Sequence, residues 1–357
     1  MSSDNGWLGT LPPYIKAKAF LRTDAYGTYA NNKLSLALKL RLVLVCLTLV
    51  PVKLFASLFC VVSYYLFISV GNVVLKEPYK TKYMAFWGRF WTRMLLYALG
   101  FWTIKWVYVS PDGSTSSTAP AGFLERRFGG YVSNHCSWVD IVLYMSRLFP
   151  SFVAKKEVSN LPLIGAISKA MQCLFVDREA RERMARKYEL GSAELPMMLF
   201  PEGTTTNNKY IMPFKRGAFV AGVPVQPLVL KYRGSFRFSP TWDAMPGHHH
   251  IFLTMTELRY GVTVHVLPMY VPSQEERDDP ALYAENVRQM MVKYTKIPSC
   301  EDTFGDKLEF FKYVTGRMAA DKKTQQGKQG QGPAGSDKAD VAATGQNGGF
   351  TVHAKAS

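Results

Sequence analysis

From Leu54 to Leu75 the chain carries no charged residue. At about 1.5 Å per residue, a helix of that length crosses a hydrocarbon layer of about 30 Å. A helix that is apolar all round has no place on the surface of a soluble domain, so the run predicts a membrane-embedded element. A shorter apolar run, LVLVCLTLVPV at 42–52, precedes it, and Lys53 separates the two. Two topologies fit. Pro51 and Lys53 can mark the turn of a re-entrant hairpin, or 54–75 can form a single span; the span is the expectation taken forward. Lys33, Lys39 and Arg41 lie before the apolar region and Lys76, Lys80 and Lys82 after it, so positive charge assigns no orientation. Residues 86–109 intersperse Trp and Phe with Arg89, Arg93 and Lys105, the pattern of an interfacial helix. A core helix of a soluble domain is the competing reading.

The remaining segments fall into place around this anchor, assigned to 34–109. Residues 1–33 are polar and lack an early apolar stretch, which argues against a cleaved signal peptide. A Ser/Thr/Gly/Pro loop at 111–122 marks a boundary. Beyond it, over 110–300, strand and helix patterns alternate. Strands are predicted at 130–133, 151–154, 173–177, 197–200, 225–231 and 264–270, and helices at 138–148, 160–171, 178–190 and 280–295. Such alternation implies an α/β fold with a mainly parallel sheet flanked by helices. In the helix at 178–190, Glu179–Arg183 and Glu182–Arg186 make solvated i,i+4 pairs. A C-terminal helix is expected at 301–318. Residues 319–357, rich in Lys, Gln, Gly and Ala, read as a disordered tail.

Charge and cysteines narrow the class. The net charge of +16 suits anionic partners such as lipid headgroups or a phosphorylated co-substrate. It does not require nucleic acid, because no RNP1-like, CxxC or helix-turn-helix pattern accompanies it. The five Cys are scattered and form no CxxC pair, so neither a disulfide framework nor a zinc site is expected, and a reducing environment fits. The three His at 248–250 are read as a solvated loop, and no metal is expected.

Two islands carry chemistry. NHCSWVD (134–140) places His135 and Asp140 across a strand–turn–helix junction. A histidine near neutral pKa can take a proton from a hydroxyl, and a carboxylate on its other nitrogen can hold the tautomer. Read alone, an Asn/Ser helix cap with an incidental His fits equally well. FPEGTTTN (200–207) reads as a strand end followed by a loop. Gly203 frees the backbone there, and Thr204 to Thr206 offer hydroxyls. No GxSxG elbow supplies the serine of a hydrolase.

Together these residues resemble the glycerolipid (acylglycerolphosphate) acyltransferase family. NHCSWVD matches its NHx4D motif at His135 and Asp140. CLFVDR (173–178) resembles the second motif with Arg178 as its basic residue, FPEGT the third, and VPVQPLVL (223–230) the fourth with Pro227. Lysophosphatidate acyltransferases typically follow EGT with arginine, where this chain has Thr205. FKRGAF (214–219) and VLPMYVPSQEERDDP (266–280) look more like the lysophosphatidylcholine and lysophosphatidylethanolamine acyltransferase branch. Glycerol-3-phosphate acyltransferases are the competing branch. The resemblance implies an acyl-CoA donor, a lysophospholipid acceptor, no tightly bound cofactor, and an endoplasmic-reticulum membrane with the catalytic domain facing the cytosol. It further implies that His135 is the general base and Asp140 its orienter. Arg178, Glu202, Gly203, Thr204 and Pro227 are expected around the acceptor. Lys215 and Arg216 are expected at phosphates of the co-substrate.

Overall fold

A computed structural model of the chain describes residues 11–28, 32–121, 123, 129–154, 159–160, 163–175, 195–233 and 237–329. The helix expected at 178–190, its ion pairs and Arg178 lie outside them.

Three helices open the fold: α1 (Leu36–Leu47), α2 (Leu49–Val74) and α3 (Tyr79–Leu99). The break between the first two falls at Thr48, not at Pro51–Lys53. Pro51 lies in the first turn of α2, where a missing N–H breaks no helical hydrogen bond, so the hairpin turn considered there does not exist. Among the described residues α2 is the one helix long and apolar enough to cross a membrane. Its burial is inverted: Lys53, Ser57, Cys60, Tyr64, Ile68 and Gly71 face inward. Phe55, Leu58, Phe59, Val70 and Val73 are exposed. An apolar outer face around a more polar inner one is what a lipid surround selects. Lys53 Nζ donates to the carbonyls of Leu99 and Glu257, so the charge inside this segment ties the head of α2 to the domain. Phe59 and Phe67 meet Trp91 and Trp87 of α3 edge-on or tilted.

The interfacial helix expected at 86–109 is two elements. Gly100, with φ of 100°, ends α3 in the left-handed conformation. Strand β1 (Phe101–Val109) follows. Alternating aromatic and β-branched residues fit a pleated surface better than a helix.

Seven more strands follow: β2 (Thr115–Ser116), β3 (Gly130–Ser133), β4 (Ser151–Ala154), β5 (Leu174–Phe175), β6 (Met197–Leu199), β7 (Val225–Arg233) and β8 (Tyr260–Val266). They form one sheet in the order β2-β1-β8-β7-β3-β6-β4-β5. Pairing is parallel except at β1–β2 and β7–β8, so the mainly parallel α/β fold is as expected. The last strand lies earlier than the predicted 264–270, ending before Pro268. Helices α4 (Val139–Met145), α5 (Ile164–Ala170), α6 (Gly247–Met255), α7 (Gln274–Asp278), α8 (Pro280–Thr295) and α9 (Phe304–Gln329) complete the chain. Alternate residues of β3 and β7 serve two cores. Tyr131, Leu228 and Leu230 join α3 and α4, whereas Val132, Val225 and Val229 join Tyr283, Val287 and Met291 of α8.

Two further expectations change. The His tract lies in α6 rather than a loop. His250 is fully buried, accepting from Trp138 Nε1 at Nδ1 while Nε2 meets the Thr241 carbonyl. Helix α9 runs past 318 to Gln329, through residues whose straight side chains favour helix. The compact unit ends at Val314. Residues 11–28 are no loose polar segment. Arg22, buried, pairs with Asp24 and Asp243. The Asn207 amide donates to the Lys18 and Leu21 carbonyls.

Candidate active site

Strands β3 and β6 are parallel neighbours, and both islands leave from their carboxyl ends. Parallel sheets gather ligands at that edge. At the end of β3 the Asn134 side chain replaces a strand. Its Oδ1 accepts from Leu230 N at 2.8 Å and its Nδ2 donates to Leu230 O at 3.0 Å. This stitch frees the main chain to turn at His135.

Asp140, in the first turn of α4, is fully buried and reaches back to the turn. Its Oδ2 receives the backbone N–H groups of Cys136 (2.6 Å) and Ser137 (2.8 Å) and lies 2.9 Å from His135 Nδ1. Its Oδ1 accepts from Tyr232 Oη at 2.5 Å. Four donors fill the carboxylate and leave it one orientation. With Nδ1 engaged, Nε2 is the imidazole nitrogen left to exchange a proton. The ring stacks on Phe200 at 4.1 Å between centroids, which fixes its plane.

His135 opens into a cavity of about 380 Å³. Its walls are Tyr64 of α2, Trp91 and Leu95 of α3, Trp138, Ile141 and Phe152 among others, and they are overwhelmingly apolar. Cys136 and Ser137 flank His135 but are fully buried. Burial pushes the Cys136 thiol well above its ordinary value, with the Asp140 and Glu202 charges adding, so it is no thiolate nucleophile.

A family model described as "Acyltransferase" matches residues 130–231, the stretch holding this geometry. Lysophospholipid acyltransferase LPEAT1 of Arabidopsis thaliana is 36% identical over 85% of this chain and 88% of its own length. The chain belongs to the glycerolipid acyltransferase family. Lysophosphatidylcholine acyltransferase of Drosophila melanogaster is 31% identical over 72% of this chain, which spans about half that relative's length (49%). Among solved structures, the lysophosphatidate acyltransferase PlsC of Thermotoga maritima is 20% identical, with a TM-score of 0.49 over 73% of this chain and 100% of PlsC.

Within this acyltransferase the expected site residues separate. His135 and Asp140 meet as described. Glu202 lies beside them but presents nothing to a ligand. It is 1% exposed, and its two oxygens accept the backbone N–H of His135 (2.7 Å) and of Met212 (3.0 Å). Burial pushes its carboxyl up to about 8, against the pull of those two N–H groups. It braces the His135 turn from below. Gly203, at φ of 70°, and Thr204 line the exposed side of the loop. Pro227 is not at the site: it lies buried in β7, paired with Val132, in the middle of the sheet. Arg216 points to solvent at the start of a 3-10 turn, whereas Lys215 folds back so that its ammonium covers Gly203.

Three contacts around these islands escaped the sequence reading. Tyr232 completes Asp140, and burial with the nearby Asp140 charge keeps its phenol protonated. The period-two pattern Leu228, Leu230, Tyr232 signals that it shares a face with the core beside His135. Phe200 was read as a strand end rather than the ring on which His135 stacks. Lys307, a hundred residues downstream, donates to the Thr204–Thr205 loop, and no local signal marks it.

Proposed function

We propose that this acyltransferase is a membrane-bound acyl-CoA:lysophospholipid O-acyltransferase, with lysophosphatidylethanolamine or lysophosphatidylcholine as acceptor. The observation that carries the reading is the His135–Asp140 pair at the mouth of an apolar cavity walled by α2 and α3. A base that opens onto apolar walls suits a reaction between a hydroxyl and a fatty acyl thioester.

His135 Nε2 takes the proton of the acceptor's free glycerol hydroxyl as its oxygen attacks the thioester carbonyl. The new C–O ester bond forms and the C–S bond breaks. The departing CoA sulfur takes the proton back from the imidazolium. Asp140 orients the ring and stabilises its transient positive charge. No acyl-enzyme forms, in keeping with the burial of Cys136 and Ser137. The apolar cavity receives the acyl chain. Acyl-CoA is cytosolic, so the site faces the cytosol, with the endoplasmic reticulum as the expected membrane. No resident metal or tightly bound cofactor enters the scheme.

Membranes containing the protein or its His135→Ala variant, supplied with acyl-CoAs and a panel of lysophospholipids plus glycerol 3-phosphate, test it. Transfer to lysophospholipids by the wild type, lost in the variant at equal expression, is expected. Near-normal turnover in the variant would sink the mechanism. Transfer to glycerol 3-phosphate or lysophosphatidate alone would move the enzyme to those branches, and fatty acid release without acceptor would make it a hydrolase.

A further inference from the structure

The register of β3 on β7 ends at Ser133–Leu228, yet β7 runs on to Arg233. Two side-chain amides take over where the β3 backbone turns away. Asn134 takes both main-chain groups of Leu230. Asn208, the residue after the second island, takes the next step along the strand. Its Nδ2 donates to the Leu230 carbonyl at 2.7 Å, and its Oδ1 accepts from the Tyr232 N–H at 2.9 Å. Its φ is 63°, a left-handed conformation that asparagine tolerates better than most residues. The same Nδ2 lies 2.9 Å from the sulfur of Cys136, the residue whose N–H holds Asp140 Oδ2.

The strand end fixed in this way carries Tyr232, whose Oη donates to Asp140 Oδ1 at 2.5 Å. Burial, with the Asp140 charge adding, pushes that phenol well above its ordinary value, so it stays a donor at any working pH. A hydroxyl this close to a carboxylate makes a strong charge-assisted hydrogen bond and takes a share of the negative charge. Less of that charge then faces the ring through Oδ2, 2.9 Å from His135 Nδ1. A carboxylate shared in this way still orients the imidazole but holds its protonated form less tightly.

We propose, on the function read above, that Tyr232 and Asn208 are positioning residues for the transfer: Asn208 ties the second island to β7, and the Tyr232 hydroxyl so held sets the pH at which the His135–Asp140 pair begins to work. Packing of the β7 end alone is the competing role for both.

The full chain in detergent, as wild type, Tyr232→Phe and Asn208→Gly, separates these. Tyr232→Phe keeps the ring and loses only the hydroxyl. Asn208→Gly removes the amide and leaves a residue at ease with positive φ. The readout is the acid limb of kcat/KM, measured with acyl-CoA and a lysophospholipid. In Tyr232→Phe the limb is expected to move up by about one pH unit, with kcat above the limb within about tenfold of wild type. Asn208→Gly is expected to move it in the same direction. The double variant should move it no further than Tyr232→Phe, because the amide acts through the phenol. A limb that stays put or moves down in Tyr232→Phe overturns the proposal in favour of packing, whatever happens to kcat. Additive shifts in the double variant overturn the part given to Asn208. If the wild type acylates no lysophospholipid, the function reading fails and the pair is read without substrate. The pH midpoint for modification of His135 by diethyl pyrocarbonate, located by peptide mass, should then still rise in Tyr232→Phe; an unchanged midpoint overturns the proposal.

Discussion

On the proposed mechanism, Asp140→Asn isolates charge from geometry at the His135–Asp140 pair. The Asn oxygen can take the place of Oδ2 and keep the three donors His135 Nδ1–H, Cys136 N–H and Ser137 N–H. Its amide then faces Tyr232, whose hydroxyl oxygen can accept in place of donating. The hydrogen-bond count and the imidazole tautomer survive, and what disappears is the negative charge opposite the imidazolium formed in the transition state. Two unit charges about 4 Å apart in surroundings of effective dielectric constant about 20 attract by about 4 kcal/mol. At about 1.4 kcal/mol per decade, kcat is expected to fall about a thousandfold with KM for both substrates little changed. The assay is transfer of labelled acyl groups from acyl-CoA by the purified variant, beside a thermal melt to confirm an intact fold. The double variant with His135→Ala is expected to be no slower than His135→Ala alone, because the carboxylate acts only through the ring. Activity within tenfold of wild type in Asp140→Asn, or additive losses in the double variant, would refute the pairing.

Three other perturbations follow from the geometry. Glu202→Gln leaves one of the two backbone N–H groups facing an amide NH2, a loss of about 1–3 kcal/mol. Steady-state kinetics should show kcat falling while the acceptor KM holds; a rise in KM alone would restore Glu202 as an acceptor ligand. Leu95→Trp narrows the cavity wall and is expected to shift preference toward shorter acyl-CoAs, read from a chain-length profile; an unchanged profile would place the acyl chain elsewhere. Burial, with Arg22 nearby, pushes His250 down to about 3, below its unfolded value. The unfolded chain therefore binds the extra proton first, and stability falls as pH drops below about 6.5. The loss is about 2 kcal/mol by pH 5. His250→Gln, measured by melting temperature against pH, should flatten that slope.

The His135–Asp140 contact was legible because its spacing spans one local junction, the end of β3 to the first turn of α4. The sheet was legible through β-branched runs and their punctuation. What escaped depends on partners far along the chain. Lys307 and Arg22 look like any solvated cation until the fold sets them beside Thr204 and Asp243. The segment 101–109 misled because Trp and Phe with scattered charge suit an interfacial helix and an edge-side strand alike. Gly100 was the overlooked stop signal. His250 shows the converse: a tract of three histidines reads as polar, yet helix geometry turns one of them inward while His249 stays exposed.

The Thr204–Asn207 loop is gripped from both ends of the described chain: Asn207 holds the carbonyls of residues 18 and 21, Lys307 reaches back to Thr204, and Asp302 accepts the Ala19 N–H. This ordering imposes a timetable on synthesis. When a ribosome has made both motifs, α2 and α3 are already available to the bilayer, but the last grip on the loop is not yet translated. At about 5–20 residues per second, the wait from residue 207 to residue 307 is on the order of 5–20 s. A nascent chain thus carries both motifs for several seconds before α9 can supply the loop beside His135 with its last side-chain contact.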